Sequence, residues 1–242
     1  MKKIIAAGGL ALALAGIGGT ASAGDIVGGS VLLDAGKHAQ LERWLGAGEF
    51  NLNNVYTLQD GDTSADFHAA ADGKGATFTL LEVTNSGGDS FLVGGYNPQS
   101  WSTSGGWNVT ERDWQRTAFL FNFTDPAVYR QILSTYVLPS QGQYQTFNAT
   151  GVGPMFGVGP DLVVTADLDT ALSWQTSYGD PLDEGKSIVD RSTNGMALHI
   201  DGMEVFSISP VPEPRETAML IAGMGVLALI GRKRARRRTG TA

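Results

Sequence analysis

The sequence TFTLLEVTNSGGDSFLVGGY, residues 77–96, decides the fold. Both ends of this stretch are rich in Thr, Val and aromatic residues, which favour β-strands, and the Asn-Ser-Gly-Gly-Asp segment between them favours a turn. The stretch therefore predicts a hairpin of two strands, at 77–83 and 91–96. Gly94 and Gly95 indicate either a bulge or a place where another part of the chain approaches the backbone closely.

Outward from this hairpin, the pattern predicts more strands than helices. Further strands are predicted at 55–58, 118–123, 161–165, 196–200 and 203–208. An apolar stripe at helical spacing predicts a helix at 34–45, which Gly46 ends. Thr63 with Asp66 three residues later is an aspartate variant of the capping box, and it predicts a short helix that extends to Ala71. Residues 24–210 are therefore predicted to form one domain that is mainly β (α+β).

The N-terminal 23 residues have the features of a secretory signal peptide. Lys2 and Lys3 precede an apolar stretch, and Ala21-Ser22-Ala23 is a cleavage site of the small-x-small type. These features predict export through the Sec translocon and cleavage by signal peptidase at Ala21 to Ala23. The mature chain is then expected to begin near Gly24.

The C-terminal segment, residues 211–238, predicts a second targeting device. Val211, Pro212, Glu213 and Pro214 precede an apolar run at 218–230 and six cations at 232–238. As a helix this run is about 20 Å long, against a hydrocarbon core of about 30 Å, so a transmembrane segment at about 217–231 spans the membrane marginally. The basic end at 232–238 is expected on the cytoplasmic side. The pattern is typical of a transient anchor that a processing enzyme removes, and an ordinary single-pass C-terminal anchor is the alternative.

Composition excludes several functions. The chain has 17 basic and 24 acidic residues and no cysteine. Its two end segments hold nine of the basic and two of the acidic residues. Residues 24–210 therefore carry 8 basic and 22 acidic residues and a net charge of −14. Such a surface repels phosphate backbones, so nucleic acid is not expected as a partner. The absence of cysteine excludes disulfides and thiol nucleophiles.

Ser64, His68 and Asp72 follow one another at steps of four, which places them on one stripe of the predicted helix. A nucleophile, base and acid set is one interpretation. A structural hydrogen bond from His68 to the backbone is the favoured one, because the chain lacks a Gly-x-Ser-x-Gly nucleophile motif. Glu204 beside Val205 is a candidate binding or catalytic carboxylate, or a satisfied, partly buried one.

Two tryptophans and three aspartates are the remaining candidates. Trp101 and Trp107, flanked by Ser and Gly, either pack in the core or stack on sugar rings, and core packing is favoured. Asp60, Asp62 and Asp66 are weak calcium candidates, because they lack the spacing of an EF-hand loop and turn or capping roles also explain them. No other metal or cofactor is expected.

A set of motifs in fixed order resembles the TLDc family. They are Trp44-Leu45-Gly46, Phe67-His68, Asp72-Gly73-Lys74-Gly75, Thr77-Phe78-Thr79-Leu80, Gly94-Gly95-Tyr96, Trp101, Ser104-Gly105-Gly106-Trp107, Ala118-Phe119-Leu120-Phe121, the stretch from Phe156 to Val164, and Met203-Glu204-Val205-Phe206. The resemblance covers roughly residues 30–209 and implies a two-sheet antiparallel β-sandwich with a few short flanking helices. It also implies protection from oxidation, a role linked to eukaryotic relatives, but it carries over no agreed catalytic residues.

The tail from Val211 to Arg238 resembles the PEP-CTERM sorting signal of Gram-negative bacteria, which an exosortase recognises and which is associated with exopolysaccharide and biofilm. We therefore expect an exosortase substrate that is exported across the inner membrane, held transiently by its C-terminal helix, and then placed at the cell surface or in the extracellular matrix. There it is expected to act as a non-enzymatic binding module for exopolysaccharide or envelope proteins. An extracellular hydrolase acting on polysaccharide or another polymer, or a protein of oxidative-stress protection, is the alternative.

Overall fold

The predicted hairpin forms the centre of the fold. The structure, a computed structural model, describes residues 24–134, 141–193 and 197–211. Within it, Thr77–Thr84 and Ser90–Asn97 pair as antiparallel strands along their whole length. The turn between them is held by the side-chain oxygen of Asn85, which accepts hydrogen bonds from the backbone N–H groups of Gly87 and Asp89, both at 3.0 Å. The hairpin prediction is confirmed.

The helices and strands of the described residues follow in chain order. They are β1 (Ile26–Val27), α1 (Ala35–Leu45), β2 (Phe50–Thr57), α2 (Ser64–Ala71), β3 (Thr77–Thr84), β4 (Ser90–Asn97), β5 (Gly106–Val109), β6 (Phe119–Asn122), β7 (Ala127–Arg130), β8 (Tyr144–Asn148), β9 (Met155–Phe156), β10 (Leu162–Val164), β11 (Thr170–Leu172) and β12 (Leu198–Pro210). Short 3₁₀ turns lie at Asp113–Gln115, Gln141–Gln143 and Pro181–Asp183.

Hydrogen bonds join these strands into one open sheet. The strand order is β5-β8-β9-β10-β11-β12-β3-β4-β6-β7, with β2 also paired to β12 and β1 to β2. The pairings are antiparallel except that of β1 with β2. The mainly β prediction is confirmed, but the strands are not divided into two separately hydrogen-bonded sheets. The reason is β12, which pairs with β3 along one edge and with β11 and then β2 along the other.

Strand β12 was predicted as two strands, at 196–200 and 203–208, and this division was wrong. The strand runs unbroken from Leu198 to Pro210. Its register against β3 shifts between Ile200 and Gly202. A bulge of this kind takes up an extra residue without ending the strand, so the polar Asp201-Gly202 pair interrupts the sequence pattern but not the ladder.

One apolar core lies between two arms of the sheet, the first formed by β3, β4 and β6 and the second by β9, β10 and β11. Side chains of β3, β4 and β6 meet those of β9, β10 and β11 in a single buried cluster, to which α2 contributes Phe67 and Ala71. Gly95 of β4 shows how closely the arms approach, because a Cβ atom there would lie 2.6 Å from the ring of Phe156 in β9. A Cβ atom at Gly94 would lie 2.0 Å from the carbonyl oxygen of Thr79. Close approach, one of the two predicted reasons for this glycine pair, is confirmed.

A second apolar cluster is centred on α1 and its neighbours, and includes Leu41 of α1, Leu52 of β2 and Phe78 of β3. The helix begins where predicted, because the Asp34 carboxylate accepts the backbone N–H of Lys37 at 2.8 Å. It ends at Gly46, whose φ of 71° lies in the left-handed region that favours glycine. The α1 prediction is thus confirmed.

Most residues of the two predicted targeting segments lie outside the described part of the chain. These are residues 1–23 with Ala21 and Ala23, the Pro212-Glu213-Pro214 stretch, the transmembrane segment at about 217–231 and the basic end. Val211 is the last residue described. Among the residues that the structure describes, no helix combines the length and the apolar character needed to cross a membrane.

Candidate functional site

His68 lies on α2 and is 4% exposed. Its Nδ1 atom is 2.7 Å from the Asp72 carboxylate, and its Nε2 atom is 2.9 Å from the carbonyl oxygen of Ala149 and 3.1 Å from that of Val152. Carbonyl oxygens only accept hydrogen bonds, so Nε2 carries a proton and donates it. Both ring nitrogens therefore point at acceptors inside the fold, and neither is exposed to a substrate.

Ser64 shares the stripe of α2 with His68. Its hydroxyl donates to the carbonyl oxygen of Thr150 at 2.7 Å, in the same turn that His68 contacts. Asp72 ends the helix as its C-cap residue. The three residues at steps of four thus lie near one another, but Ser64 and His68 tie α2 to the turn after β8 instead of forming a nucleophile and base pair.

Glu204 lies in β12 and is 1% exposed. Its carboxylate accepts a short hydrogen bond from the Ser30 hydroxyl and backbone N–H groups from Val31 at 2.9 Å and Leu32 at 3.4 Å. The Ser30 hydroxyl in turn accepts the N–H of Leu33 at 2.7 Å. Glu204 therefore fixes the segment that leads into α1, and this segment separates it from solvent.

Trp101 is a core residue and is 1% exposed. Its indole N–H donates to the Thr77 hydroxyl at 3.0 Å. Its ring makes edge contacts with Phe67, at a centroid distance of 5.7 Å, and with Phe156, at 5.4 Å. Trp101 therefore has no surface on which a sugar ring could stack.

Trp107 is placed differently, in β5 at the end of the sheet path. It lies directly opposite Phe147 of β8, and the two ring centroids are 4.9 Å apart. The ring of Tyr144 is 5.4 Å from that of Trp107. All three residues are half-buried, and none belongs to either core cluster. We refer to Trp107, Tyr144 and Phe147 as the aromatic strip.

A chain of side-chain amides, which runs inward from the exposed Gln99 to the buried Gln145 and Gln131, supports β5 and β8. Gln99 donates to Gln145, Gln145 donates to Gln131, and Gln131 donates to the Thr110 hydroxyl, each at 3.0 Å. Gln131 and Gln145 are 2% and 0% exposed. Buried polar groups whose hydrogen bonds are satisfied favour a single arrangement, so Gln131 and Gln145 help to fix the strand pair below the aromatic strip.

The calcium candidates lie beside a depression of about 550 Å³, whose acidic and imidazole lining groups are Asp60, Asp62, Asp167, Asp169, Asp201 and His199. Asp62 accepts hydrogen bonds from the Tyr56 hydroxyl at 2.9 Å and the Gln59 N–H at 3.0 Å. Asp66 accepts the Thr63 N–H at 2.8 Å and the Thr63 hydroxyl at 3.0 Å, and these two hydrogen bonds lower the pKa of the Asp66 carboxyl. Within the described ranges, no three His, Cys, Asp or Glu residues form a group that could hold a metal ion.

Asp161 is a buried carboxyl that is not among the candidate site residues predicted from the sequence. It is 0% exposed and accepts the backbone N–H groups of Thr176, Ser177 and Tyr178, each at 2.8 Å. Burial raises the pKa of Asp161 to about 6, although the hydrogen bonds from these residues lower it. Asp161 therefore anchors the chain that follows β11.

Of the candidate surfaces described above, the aromatic strip and the aspartate-lined depression are accessible for binding. The strip contains one residue that the sequence indicated, Trp107, and two that it did not, Tyr144 and Phe147. No protein-family model matches this chain, and no curated protein matches it either. The function of these two surfaces is therefore inferred from the chemistry of their own residues.

Proposed function

We propose that this chain is an exported, TLDc-like protein that acts by binding and not by catalysis, at the cell surface or in the extracellular matrix of a Gram-negative bacterium. The observation that supports this proposal best is the placement of the His68 ring, whose two nitrogens are both engaged inside the fold. A general base must lie within hydrogen-bond reach of the proton that it takes from a substrate, and both nitrogens of this ring point at acceptors inside the fold. Glu204 is likewise committed to the segment at residues 30–32.

The packing of the sheet supports a TLDc-like sandwich. The two arms enclose one core, with β9 against β4, as two facing layers would. In this proposal β12 joins the two layers. In this proposal the strand of Glu204 closes the domain, and the Glu204 carboxylate holds the segment before α1.

The proposed route begins with residues 1–23, which direct the chain to the Sec translocon and are removed by signal peptidase. Residues 211–238 then anchor it in the inner membrane until an exosortase-type enzyme cleaves near Val211-Pro212-Glu213-Pro214. The compact unit that contains the described residues ends at Val211, the first residue of this motif.

A hydrolase is the second candidate, and the aspartate-lined depression is the observation that favours it. Carboxylates from the turn after β2, from the turn before β11 and from β12 line this depression, and two such groups can serve as acid and base on a polymer. Asp167→Asn and Asp201→Asn variants test this candidate. If the full-length protein cleaves an extracellular polymer and either substitution abolishes cleavage, the binding proposal is wrong.

The binding proposal is tested with the purified full-length protein and separate polysaccharide and envelope-protein fractions. We expect saturable, reversible binding to a component that is recovered with its mass unchanged. Mass-spectrometric evidence of cleaved product would contradict the proposal, and so would the absence of saturable binding to any fraction.

A further inference from the structure

Two long stretches of this acidic chain, residues 90–110 and 131–160, contain no charged residue and no histidine. They total 51 residues, in which the average of residues 24–210, 30 charged residues in 187, would place about eight. The fold brings the two stretches together, because β5 of the first pairs with β8 of the second, from Gly106 opposite Asn148 to Val109 opposite Tyr144. One end of the sheet is therefore built from uncharged sequence in a domain of net charge −14.

The aromatic strip lies on this uncharged strand pair. Trp107 contacts both other rings, at interplanar angles of 50° to Phe147 and 69° to Tyr144. Neighbouring Val109 is 46% exposed. Because the three rings belong to neither core cluster, core packing does not account for three large aromatic residues at this position.

The strand pair is also held in one arrangement before any ligand arrives. The amide chain that leads from Gln99 through the buried Gln145 and Gln131 to Thr110 supports it. Asn108 also donates to the Thr146 hydroxyl at 2.8 Å across the two strands. Rings on such a support lose little conformational entropy on binding. The strip is therefore preorganised for a ligand that needs flat apolar surfaces at fixed positions.

The chemistry of the surroundings restricts the ligand. A pyranose ring presents a face of C–H groups that packs on an aromatic ring, while its hydroxyls bond to amide and hydroxyl side chains. The chain next to the strip supplies such side chains, Ser102, Thr103 and Ser104 before β5 and Gln141 and Gln143 before β8. An anionic polymer is repelled by the net charge, and a protein interface commonly needs about 800 Å² per partner, more than three half-buried rings provide.

We propose that the aromatic strip binds an uncharged polysaccharide, with Trp107 as the central stacking residue and Tyr144 and Phe147 beside it. This inference rests on the proposed binding function, to which it adds the contact surface and the class of ligand. The two parts are separable, because the chain can bind an envelope component through another surface.

Affinity electrophoresis of the full-length protein in gels that contain dextran, a β-1,3-glucan, a galactomannan or alginate tests the proposal. We expect at least one of the three neutral polymers to retard the protein and alginate not to. Trp107→Ala weakens the retarding interaction by about tenfold or more, because one stacked ring is lost. Trp107→Phe keeps a ring and has a smaller effect. Thermal melting of each variant shows whether it remains folded.

Trp174→Ala is the matched control. Trp174 is 42% exposed and lies beside Gly185, in a region with Asp183 and Lys186, so it is an accessible tryptophan in charged surroundings. We expect this variant to bind as the wild type does. Equal losses in the Trp107 and Trp174 variants, or unchanged binding by a folded Trp107→Ala variant, would overturn the role of the strip. Failure of every neutral polymer would also overturn it, whereas saturable binding to an envelope protein would leave the broader binding function standing.

Discussion

Replacing Glu204 tests most sharply whether the candidate carboxylate is structural. The carboxylate is 1% exposed and receives one hydroxyl and two backbone N–H groups. Glutamine offers only one oxygen, so donors on the other side lose their acceptor, and an unpaired buried donor costs about 1–3 kcal/mol. We therefore expect Glu204→Gln to lower the free energy of unfolding by about 2 kcal/mol. Glu204→Ala, which also leaves a cavity, should lower it by about 4 kcal/mol.

Urea denaturation and thermal melting measure this loss. For a domain of this size each kcal/mol corresponds to about 2–4 °C, so we expect melting to fall by about 6 °C for Glu204→Gln and about 12 °C for Glu204→Ala. Glu82→Gln is the control, because Glu82 lies exposed on the adjacent strand β3, and we expect a change within about 0.5 kcal/mol.

A double-mutant cycle with Ser30→Ala locates the effect. Because the Ser30 hydroxyl donates to Glu204, the two substitutions should be clearly non-additive, and amide hydrogen exchange at Val31 and Leu32 should accelerate in Glu204→Gln. Equal stability of the Glu204→Gln and Glu82→Gln variants would refute the anchoring role, and loss of a polymer-cleaving activity without loss of stability would identify Glu204 as catalytic.

Four further predictions concern other parts of the fold. His68→Ala, which removes the donor to the turn after β8, should cost about 2 kcal/mol in urea denaturation, and an unchanged stability would contradict its structural role. Gly95→Ala should cost about 3 kcal/mol or more, or prevent soluble expression, because its Cβ atom overlaps the Phe156 ring; a variant with wild-type melting would disprove the contact. The folded-state pKa of Asp161 is raised from 3.8 to about 6, so its contribution to the free energy of unfolding is fully present below pH 3.8 and is lost as the pH rises through 6. Asp161→Asn should therefore lower stability more at about pH 4 than at about pH 7. The reverse order in denaturation curves would show that the hydrogen bonds from the backbone N–H groups outweigh the effect of burial on this carboxyl. An excess of EDTA should shift melting by less than about 1 °C, and a larger fall that calcium reverses would establish a calcium site near Asp62.

The sequence was sufficient to predict those helix starts and turns that depend on hydrogen bonds between residues close together in the chain. Asp34 before α1, Thr63 with Asp66 before α2, and the turn at 85–89 each make hydrogen bonds within a few residues, so their positions could be predicted. The strands of the central hairpin also carry enough β-branched and aromatic residues to be recognised without their partners.

The sequence was insufficient to predict strands and buried side chains whose packing partners lie far away in the chain. Strand β5 is short and polar apart from Trp107 and Val109, and it forms because β8, some 40 residues later, pairs with it. The burial of Trp101 depends on Phe67 and Phe156, and the sequence does not show that these three rings meet. The absence of charge from residues 90–110 and 131–160 is the one sequence signal that could have indicated the aromatic strip.

The central claim of this account is that the domain works beyond the inner membrane after both terminal segments have been removed. Cell fractionation followed by intact-mass measurement of the natural protein tests it most directly. We predict a protein outside the inner membrane that begins near Gly24 and lacks the residues after Pro214. Recovery from the cytosol of a chain that retains residues 1–23 and 211–242 would contradict the account.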